Sequence, residues 1–344
     1  MTSMKAAIWT AIDQVDVADV PIPEVPAGWA LVKVAYNGIC GTDLAIVHGK
    51  HPRAAAALIM GHEISGWVER AGATGPAAGT LVVVEPLISC GRCRSCKNGL
   101  THVCRQLGLY GIDAPGGMAQ YVALPPEVLH AVPDGVDPRT ATLAEPLAVA
   151  VHALERSAMR AGETVAVYGA GPIGILVALV ARHKGAAAVV ISEPSPWRRE
   201  VAARLGFTVV AQGSTVAATL APLTGGEGAD TTFDCSAHPS VAAQLAATTR
   251  VRGRIVVVGV YKAPAAVDLQ AVCFKEQSLI GVRVYTTADL TGAIELIASG
   301  ALGLEAFPTK AFDLTDVHAA FDAATSGQEC LKVLLTPVSG QADR

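Results

Sequence analysis

The sequence predicts an α/β protein in which a barrel-like β domain precedes a doubly wound parallel sheet. Residues 5 to about 85 contain strand-like segments separated by Pro and Gly turns. From residue 140 onward, apolar strand-like segments alternate with helical segments up to about residue 283. The stretch GAGPIG at 169–174 is typical of a tight glycine turn between a buried strand and the helix that follows it.

The β domain is predicted from short segments in which apolar residues alternate or β-branched residues accumulate. These segments are residues 5–10, 15–20, 30–36, 63–71, 117–124 and 128–132. Between them, residues 86–112 form a cysteine-rich, basic excursion with little strand character. No helix of crossover length separates the early strands, so this half of the chain is not a series of β-α-β units.

The parallel sheet is predicted from six strands with helices between them. The strands are expected near 164–168, 187–192, 207–211, 230–234, 254–259 and 278–284, after a helix over 143–156. Residues 285–344 contain two further helices, 289–299 and 316–326, and a last strand, 331–336. We expect this segment to return to the first domain, which gives one domain of 1–148 with 285–344 and another of 149–284.

Composition excludes several kinds of partner. The 344 residues are 51% hydrophobic and carry a net charge of −4, so neither nucleic acid nor an anionic membrane is an expected partner. No apolar run reaches the ~18 residues that a membrane span needs, and the N-terminus lacks the apolar core of a signal peptide. We therefore expect a cytoplasmic protein, whose eight cysteines serve metal binding or catalysis rather than disulfides.

Four cysteines lie within the excursion at C-x2-C-x2-C-x7-C spacing: Cys90, Cys93, Cys96 and Cys104. Four thiolates this close in sequence can surround one tetrahedral zinc ion in a closed, structural site. Free thiols and an iron–sulfur cluster are the alternatives, although iron–sulfur clusters usually have other spacings. The interpretation we favour is a structural zinc that fixes a segment with too few apolar residues to pack by itself.

A second group of metal-binding residue types is dispersed along the chain. Cys40 lies in NGICGTDL, His62 and Glu63 lie in GHE, and Glu145 lies in AEPL. Each has an ordinary explanation, as a core thiol, a hydrogen-bonded core histidine or the first-turn acid of a helix. Together, a thiolate, an imidazole and one or two carboxylates suit a catalytic zinc with an open position, which a Lewis acid needs to hold an alcohol oxygen.

The glycine turn at 169–174 has the G-x-G-x-x-G spacing of dinucleotide-binding proteins. Gly169 permits the sharp turn, Gly171 leaves space for a pyrophosphate, and Gly174 lets the helix lie close to the strand. Pro172 and Ile173 open that helix, whose N-terminus offers free N–H groups to the phosphates. A glycine turn without a ligand is the alternative, but the strand before it and the helix after it favour a dinucleotide site.

The cofactor expected at this turn is NAD. Glu193 ends the next strand about 20 residues further on, where a carboxylate accepts hydrogen bonds from the ribose 2′-OH and repels a 2′-phosphate. Arg198 follows closely and keeps NADP as the less favoured alternative. Cys235, Val258 and Gly259 fall at the ends of later strands, so we expect them to line the cofactor unless they are ordinary strand ends.

The chain resembles the zinc-dependent medium-chain dehydrogenase/reductase superfamily of alcohol and polyol dehydrogenases. The resemblance is carried by GICGTDL (38–44), GHE (61–63), the four-cysteine lobe (90–104), GGMAQYV (116–122), AEPLAV (144–149) and GAGPIG (169–174). It implies a GroES-like β-barrel catalytic domain, a Rossmann domain, two zinc ions per chain and a homo-oligomer, either a tetramer or a dimer.

The resemblance also implies roles for particular residues. Cys40, His62 and Glu145 occupy zinc-ligand positions, and Glu145 points to the sorbitol, butanediol or threonine dehydrogenase branch. In that branch, the acid at Glu63 ligates the metal directly or exchanges with Glu145 and water. Thr42 matches the hydroxyl that takes the proton of the alcohol.

The outward path of that proton is less well defined. Ala45 stands where the family often has a relay histidine. His48 or His51 could replace it, and so could water with the ribose hydroxyls; either histidine could instead be an ordinary surface residue.

The implied reaction is hydride transfer between NAD and a secondary alcohol, which becomes a ketone. The preferred substrates are vicinal diols, polyols and sugar alcohols. Sorbitol dehydrogenases look like G-V-F-R-Y in the segment that lines the pocket, and this chain has Val284 where their arginine falls. The sequence therefore does not specify the substrate. The alternatives are an L-threonine 3-dehydrogenase or amino-polyol dehydrogenase and, more remotely, a catalytically silent NAD- or zinc-binding scaffold or sensor.

Overall fold

The computed structural model describes residues 3–210 and 216–337. The chain forms two compact units, unit 1 (Met1–Glu145 with Thr286–Arg344) and unit 2 (Pro146–Tyr285). The functions predicted for the two domains, and their predicted boundaries at 148/149 and 284/285, stay predictions at this point.

The first segment of unit 1 consists mainly of β-strands. In order, it contains β1 (Ser3–Ala11), β2 (Gln14–Pro21), β3 (Ala30–Gly38), α1 (Gly41–Val47), β4 (Leu58–Ile59), β5 (Glu63–Arg70), β6 (Leu81–Val84), β7 (Leu87–Ile88), α2 (Arg94–Lys97), β8 (Gly108–Leu109), β9 (Tyr121–Leu124), β10 (Leu129–Ala131) and α3 (Pro138–Ala141). The helix α4 (Ala144–Ser157) then leads into unit 2.

Unit 2 alternates strands and helices. It contains β11 (Thr164–Tyr168), α5 (Pro172–His183), β12 (Ala188–Ser192), α6 (Pro196–Arg204), β13 (Thr208–Val210), α7 (Val216–Thr224), β14 (Ala229–Asp234), α8 (Pro239–Ala242), α9 (Leu245–Thr248), β15 (Thr249–Val257), α10 (Leu269–Phe274) and β16 (Ser278–Gly281). Its six strands are all parallel and lie in the order β13-β12-β11-β14-β15-β16. This is the strand order of a doubly wound dinucleotide-binding sheet.

The chain then completes unit 1 with α11 (Thr287–Ala298), β17 (Thr309–Asp313), α12 (Val317–Ser326) and β18 (Lys332–Thr336). In unit 1 a seven-stranded sheet has the order β10-β6-β5-β3-β18-β17, with β9 also paired to β3. A three-stranded sheet, β2-β1-β4, and the pair β7-β8 accompany it. The last strand therefore joins the sheet formed by the first residues of the same unit.

The sheet of unit 1 has an apolar face because successive side chains of a strand point to opposite faces, and those on one face are apolar. Val32 and Val34 of β3 and Ile64 and Val68 of β5 are almost fully buried in one cluster with side chains of β6, β9 and β10. In unit 2, the central strand β11 is buried along its whole length, as expected for a parallel strand covered on both faces.

The predicted fold class is confirmed, and the differences are local. The expected strand over 117–124 pairs regularly only at Tyr121–Leu124, because Gly116 packs against the backbone of Gly61 and the N–H of Gly117 donates to the Gly61 carbonyl instead. The expected strand over 278–284 ends at Gly281. The strands β6 and β17 and the two-residue strands β4, β7 and β8 were not predicted. In the two ranges described, every helix is too short or too polar to cross a membrane.

Candidate metal centres and the dinucleotide turn

The register of two antiparallel strands brings Cys40 and His62 together in unit 1. Gly38 at the end of β3 lies opposite Glu63 at the start of β5. Cys40 follows the first strand by two residues and His62 precedes the second by one, so both reach the same edge of the sheet. Position 38 must be glycine for Glu63 to keep this place, since a Cβ on Gly38 would stand 2.0 Å from Glu63 Oε2.

One ligand atom from each of Cys40, His62 and Glu63 lies within 4.8 Å of the other two. His62 and Glu63 are buried, with exposures of 4% and 1%. Among the described residues, Glu63 Oε2 is a buried oxygen without a hydrogen-bond partner. An unpartnered carboxylate oxygen is costly in the interior, and a cation beside it would remove that cost. The thiolate, imidazole and carboxylate fit a zinc ion that keeps an open position.

Asp43 lies next to this cluster and faces both Cys40 and His62. Its Oδ2 accepts the backbone N–H of Cys40 at 2.8 Å, and its Oδ1 lies 3.7 Å from His62 Nδ1. Burial raises the pKa of Asp43. Burial alone would lower the pKa of His62, but Asp43 and the Cys40 thiol raise it well above its ordinary value. The 3.7 Å separation is too long for a hydrogen bond, so Asp43 acts on the imidazole through its charge.

Lys332, on β18, completes the charge balance of the cluster. Its Nζ donates to Glu63 Oε1 at 2.7 Å and to the carbonyl of Ile39 at 3.2 Å. Burial alone would lower the pKa of Lys332, but the Glu63 carboxylate and the Cys40 thiol raise it above its ordinary value. The pairing of β18 with β3, in which Leu334 lies opposite Gly38, delivers this lysine from 269 residues away.

The other predicted residues of this centre lie at different distances from it. Thr42 Oγ1 is 3.8 Å from Cys40 Sγ. Glu145 is buried but lies outside the three-residue group, close enough for its charge to raise the pKa of His62. His48 follows α1 and forms an exposed hydrogen bond with Asp13, at 2.6 Å between Nδ1 and Oδ1. The predicted roles of all three stay predictions.

The four cysteines of the excursion form the second group. Their sulfur atoms all lie within 4.8 Å of one another, with Cys93 Sγ at 3.5 Å from Cys96 Sγ and 4.0 Å from Cys104 Sγ. A zinc tetrahedron with Zn–S bonds of about 2.3 Å has sulfur–sulfur edges of about 3.8 Å, so the spacing fits. Backbone N–H groups of Arg105 and Cys96 lower the pKa of Cys93 to about 6. Cys90 completes the set, and its N–H donates to Cys104 Sγ.

In unit 2 the glycine turn has the geometry that its spacing predicts. Gly169 has φ of +98°, which favours glycine. A Cβ on Gly174 would stand 1.8 Å from the carbonyl oxygen of Gly169, so close packing requires glycine there. Gly171 precedes the first helical residue, Pro172, and a Cβ on it would meet only Arg198 Nη1, at 3.8 Å. The N–H of Ile173 is one of the first-turn donors that have no partner within the helix.

Glu193 braces this turn. Its Oε2 accepts the N–H of Ala170 at 2.7 Å and its Oε1 accepts the N–H of Ser195 at 2.8 Å, and the residue is 4% exposed. Carboxylate oxygens accept more than one hydrogen bond, so these contacts leave acceptor capacity for a ribose hydroxyl. The guanidinium of Arg198 lies over Gly171, next to the expected phosphates.

The predicted strand-end residues are held together by Asp234. The backbone N–H groups of Val258 and Gly259 both donate to its carbonyl oxygen at 2.9 Å, and Cys235 follows it directly. The buried Asp234 carboxylate accepts from the Tyr261 hydroxyl at 2.5 Å and from the N–H and hydroxyl of Ser236. Asp234 therefore orders two adjacent strand-end loops, a role that the sequence did not reveal.

Two supporting residues of the metal centre were also missed. Asp43 lies within the motif GICGTDL, so its position beside Cys40 was visible although its contact with His62 was not. The signal of Lys332 was a lone cation at the start of an apolar strand, which only sheet pairing connects to Glu63.

These units and centres define a zinc-dependent dehydrogenase. The sequence matches the alcohol dehydrogenase GroES-like domain over residues 26–134 and the zinc-binding dehydrogenase domain over residues 172–299. The chain belongs to the zinc-dependent medium-chain dehydrogenase family, as the resemblance implied. It is therefore an oxidoreductase that uses zinc and a nicotinamide cofactor on small alcohol or ketone substrates.

Relatives and solved structures cover nearly the whole chain. The chain is 41% identical to a 2-dehydro-3-deoxy-L-galactonate 5-dehydrogenase of Pseudoalteromonas atlantica, over 90% of this chain and 92% of that one. It is 34% identical to an L-threonine 3-dehydrogenase of Bacillus subtilis, over 93% and 94%. An alcohol dehydrogenase of Escherichia coli CFT073 complexed with NADH has a TM-score of 0.91 at 28% identity, covering 98% of this chain and all of that one.

Proposed function

We propose that the protein oxidises a secondary alcohol of a polyhydroxylated small molecule with NAD, and reduces the matching ketone with NADH. In the forward direction the carbon gives a hydride to NAD and the hydroxyl gives up a proton. The observation that carries the proposal is the cluster of half-buried Cys40 with buried His62 and Glu63, whose donor set suits an open zinc site.

Each metal centre would hold one zinc ion, which makes two per chain. At the catalytic centre Cys40 and His62 would be ligands, with Glu63 or Glu145 as the third. Bound zinc supplies a Lewis acid that polarises the oxygen of the substrate and lowers its pKa. Glu63 lies nearer than Glu145 to the other two ligands, and Lys332 already pairs with its other oxygen. We therefore favour Glu63 as the third ligand, which would gain the metal as a partner when zinc binds.

Thr42 would accept the proton of the alcohol. Its hydroxyl stands 3.8 Å from the Cys40 sulfur, at the start of α1, and a hydroxyl both accepts and donates hydrogen bonds. His48 would act only as an outer acceptor, because Asp13 already holds its Nδ1 on the surface of unit 1.

The cofactor would be NAD rather than NADP. The support is Glu193, whose fixed carboxylate would repel a 2′-phosphate while accepting from a 2′-OH. Replacing Glu193 with Ala should lower the ratio of kcat/KM for NAD over NADP by about tenfold, the value of one charge-assisted hydrogen bond. An unchanged ratio would remove Glu193 from this role. Arg198→Gln is the matched test of whether that arginine serves NADP instead.

The names of two relatives support the substrate class that we propose. The 41% identical relative is named for a polyhydroxy acid that it dehydrogenates at carbon 5, so we propose a polyol or polyhydroxy acid. The 34% identical relative favours L-threonine as the second candidate. The test is NADH formation with 2-dehydro-3-deoxy-L-galactonate, sorbitol, 2R,3R-butanediol and L-threonine, with both cofactors. Turnover of L-threonine alone would support the second candidate and contradict the first.

We also propose a cytoplasmic homo-oligomer. The strand β16 is an edge of its sheet, and Leu279 on this strand and Phe274 just before it are 45% and 78% exposed. An exposed apolar edge strand is a site for pairing with a second copy across a two-fold axis. Light scattering should therefore give a mass of a dimer or tetramer, whereas the mass of one 35.2 kDa chain would contradict this proposal.

A further inference from the structure

We infer that Arg53 determines substrate specificity by binding the carboxylate of a polyhydroxy-acid substrate, and that Asp113 positions its guanidinium. The inference rests on the proposed function, because it names the substrate class of the same metal centre. All of the residues that carry it belong to unit 1.

Arg53 lies on the loop that connects the two segments of the chain that build the metal centre. The loop, residues 48–57, leaves α1, the helix that begins beside Cys40 and contains Thr42. It ends at β4, and His62 follows three residues after the end of that strand. The loop is therefore anchored at both ends next to the residues that are expected to do the chemistry.

Asp113, the partner of Arg53, lies on a turn that packs against the residue before His62. The N–H of Gly117 donates to the carbonyl of Gly61 at 3.0 Å. A Cβ on Gly111 would stand 2.4 Å from Gly61 O, and one on Gly116 would stand 2.1 Å from it. This backbone-to-backbone packing leaves no room for side chains, so the turn has a fixed place next to the metal centre. Asp113 is two residues from Gly111, within about 8 Å of chain.

The ion pair of Arg53 and Asp113 fixes the direction of the guanidinium. Arg53 Nε and Nη2 donate to the two oxygens of Asp113, each at 3.0 Å, and Asp113 Oδ2 also accepts the N–H of Leu109 at 2.9 Å. A guanidinium has five N–H groups and can bind a second carboxylate with those that remain. Its Nη1 has no hydrogen-bond partner among residues 3–210 and 216–337, and the side chain is 40% exposed.

His51 adds a neutral donor to the same surface. Its Nδ1 accepts the N–H groups of Ala54 and Arg53, at 3.3 and 3.4 Å, which places the ring proton on Nε2. Burial and the Arg53 charge lower the pKa of His51, and Asp113 opposes them only in part. A neutral imidazole suits the hydroxyls of a substrate, whereas Arg53 alone gains from an added carboxylate.

The experiment compares acidic with neutral substrates in the holoenzyme. NADH formation is followed with 2-dehydro-3-deoxy-L-galactonate and D-gluconate as acids, D-sorbitol and 2R,3R-butanediol as neutral substrates, and L-threonine as an amino acid. The variants are Arg53→Gln, Arg53→Lys and Asp113→Asn. Lys5→Gln, which breaks an exposed ion pair with Asp19, is the matched control.

We expect Arg53→Gln to raise KM for the polyhydroxy acid about ten- to hundredfold, with a much smaller change in kcat, since a charge-assisted contact is lost. The ratio of kcat/KM for acid over neutral substrate should fall by the same factor. Arg53→Lys should recover part of this ratio, because it restores the charge but not the planar fork. Asp113→Asn should lower the ratio less than Arg53→Gln does.

Other results would overturn the inference. Equal loss on acidic and neutral substrates would make Arg53 a structural residue only. Turnover of neutral diols without any polyhydroxy acid, or of L-threonine as the one acid accepted, would contradict the assigned class and leave the dehydrogenase activity in place. Failure of every alcohol with both cofactors would instead contradict the proposed function itself.

Discussion

The two metal centres of unit 1 are built in opposite ways. The four-cysteine centre uses one residue type from a single segment, between Cys90 and Cys104, and most of its cysteines are only half-buried. The Cys40 centre uses three residue types from the ends of two paired strands, and its partner Lys332 arrives from a third. Its His62, Glu63 and Lys332 are buried while Cys40 is half-buried, and Glu63 has a carboxylate oxygen without a hydrogen-bond partner among the described residues.

This difference separates stability from chemistry. Four thiolates fill a tetrahedral zinc completely and leave nothing for a substrate, so that centre can only hold the lobe together. Three protein ligands leave a position open, and burial strengthens every charge interaction around it. Substitutions at the two centres should therefore change different quantities.

The largest expected effect is that of Cys40→Ser on activity. Loss of a thiolate ligand removes several kcal/mol of transition-state stabilisation, so kcat/KM should fall by about a thousandfold or more. The thermal midpoint should change little, since Cys40 has no part in the four-cysteine lobe. Steady-state NADH formation beside a thermal melt checks both expectations. A variant that turned over normally would show that Cys40 is not a ligand.

Lys332→Met should cost the most folding stability. The substitution leaves the Glu63 carboxylate buried without its cation, and breaking a buried ion pair in this way costs about 3–5 kcal/mol. Urea unfolding of the variant measures this loss. Lys310→Met is the matched control, because Lys310 pairs with Glu329 on the surface of the adjacent strand and should change stability little. Equal losses from the two substitutions would contradict the role of burial.

Cys93→Ser should lower thermal stability while leaving the chemistry of the other centre in place. The lobe contains few apolar contacts, so the loss of its metal should reduce the thermal midpoint by about 10 °C. Near-normal kcat/KM below the melting range should accompany this change. An unchanged midpoint with full zinc loss would mean that the lobe packs without metal.

The smallest expected effect is that of Asp43→Asn. The amide keeps the size of the side chain but removes the negative charge that faces His62 Nδ1, and such supporting residues contribute about 10- to 100-fold to metal affinity or activity. Zinc affinity in a chelator competition measures the change. Asp19→Asn, on the exposed surface, is the control. Equal affinity in both variants would show that Asp43 does not support His62.

The same contrast explains what the sequence could predict. The four cysteines and the glycine turn are local, so spacing alone identified them and the geometry agrees with it. The alternating and continuous apolar segments identified most strands and showed that the β domain precedes the parallel sheet along the chain. Cys40, His62 and Glu145 were recognised through a family resemblance, because nothing in their spacing reveals that β3 pairs with β5.

The residues that were missed depend on tertiary pairing. Lys332 meets Glu63 only because β18 joins β3, and Asp234 meets Tyr261 only because two parallel strands end side by side. The shortened strand before Tyr121 reflects glycine packing against Gly61, which no local pattern encodes. Local chemistry could therefore be predicted from the sequence, whereas long-range contacts required the fold.

Zinc content per chain tests the division between the two centres most directly. Elemental analysis of the purified protein, of Cys40→Ser and of Cys93→Ser should give two zinc ions for the first and one for each variant. The ion that remains in Cys93→Ser should support turnover, and the ion that remains in Cys40→Ser should maintain the melting temperature. One zinc ion in the unsubstituted protein, or loss of activity and stability together in both variants, would contradict the account.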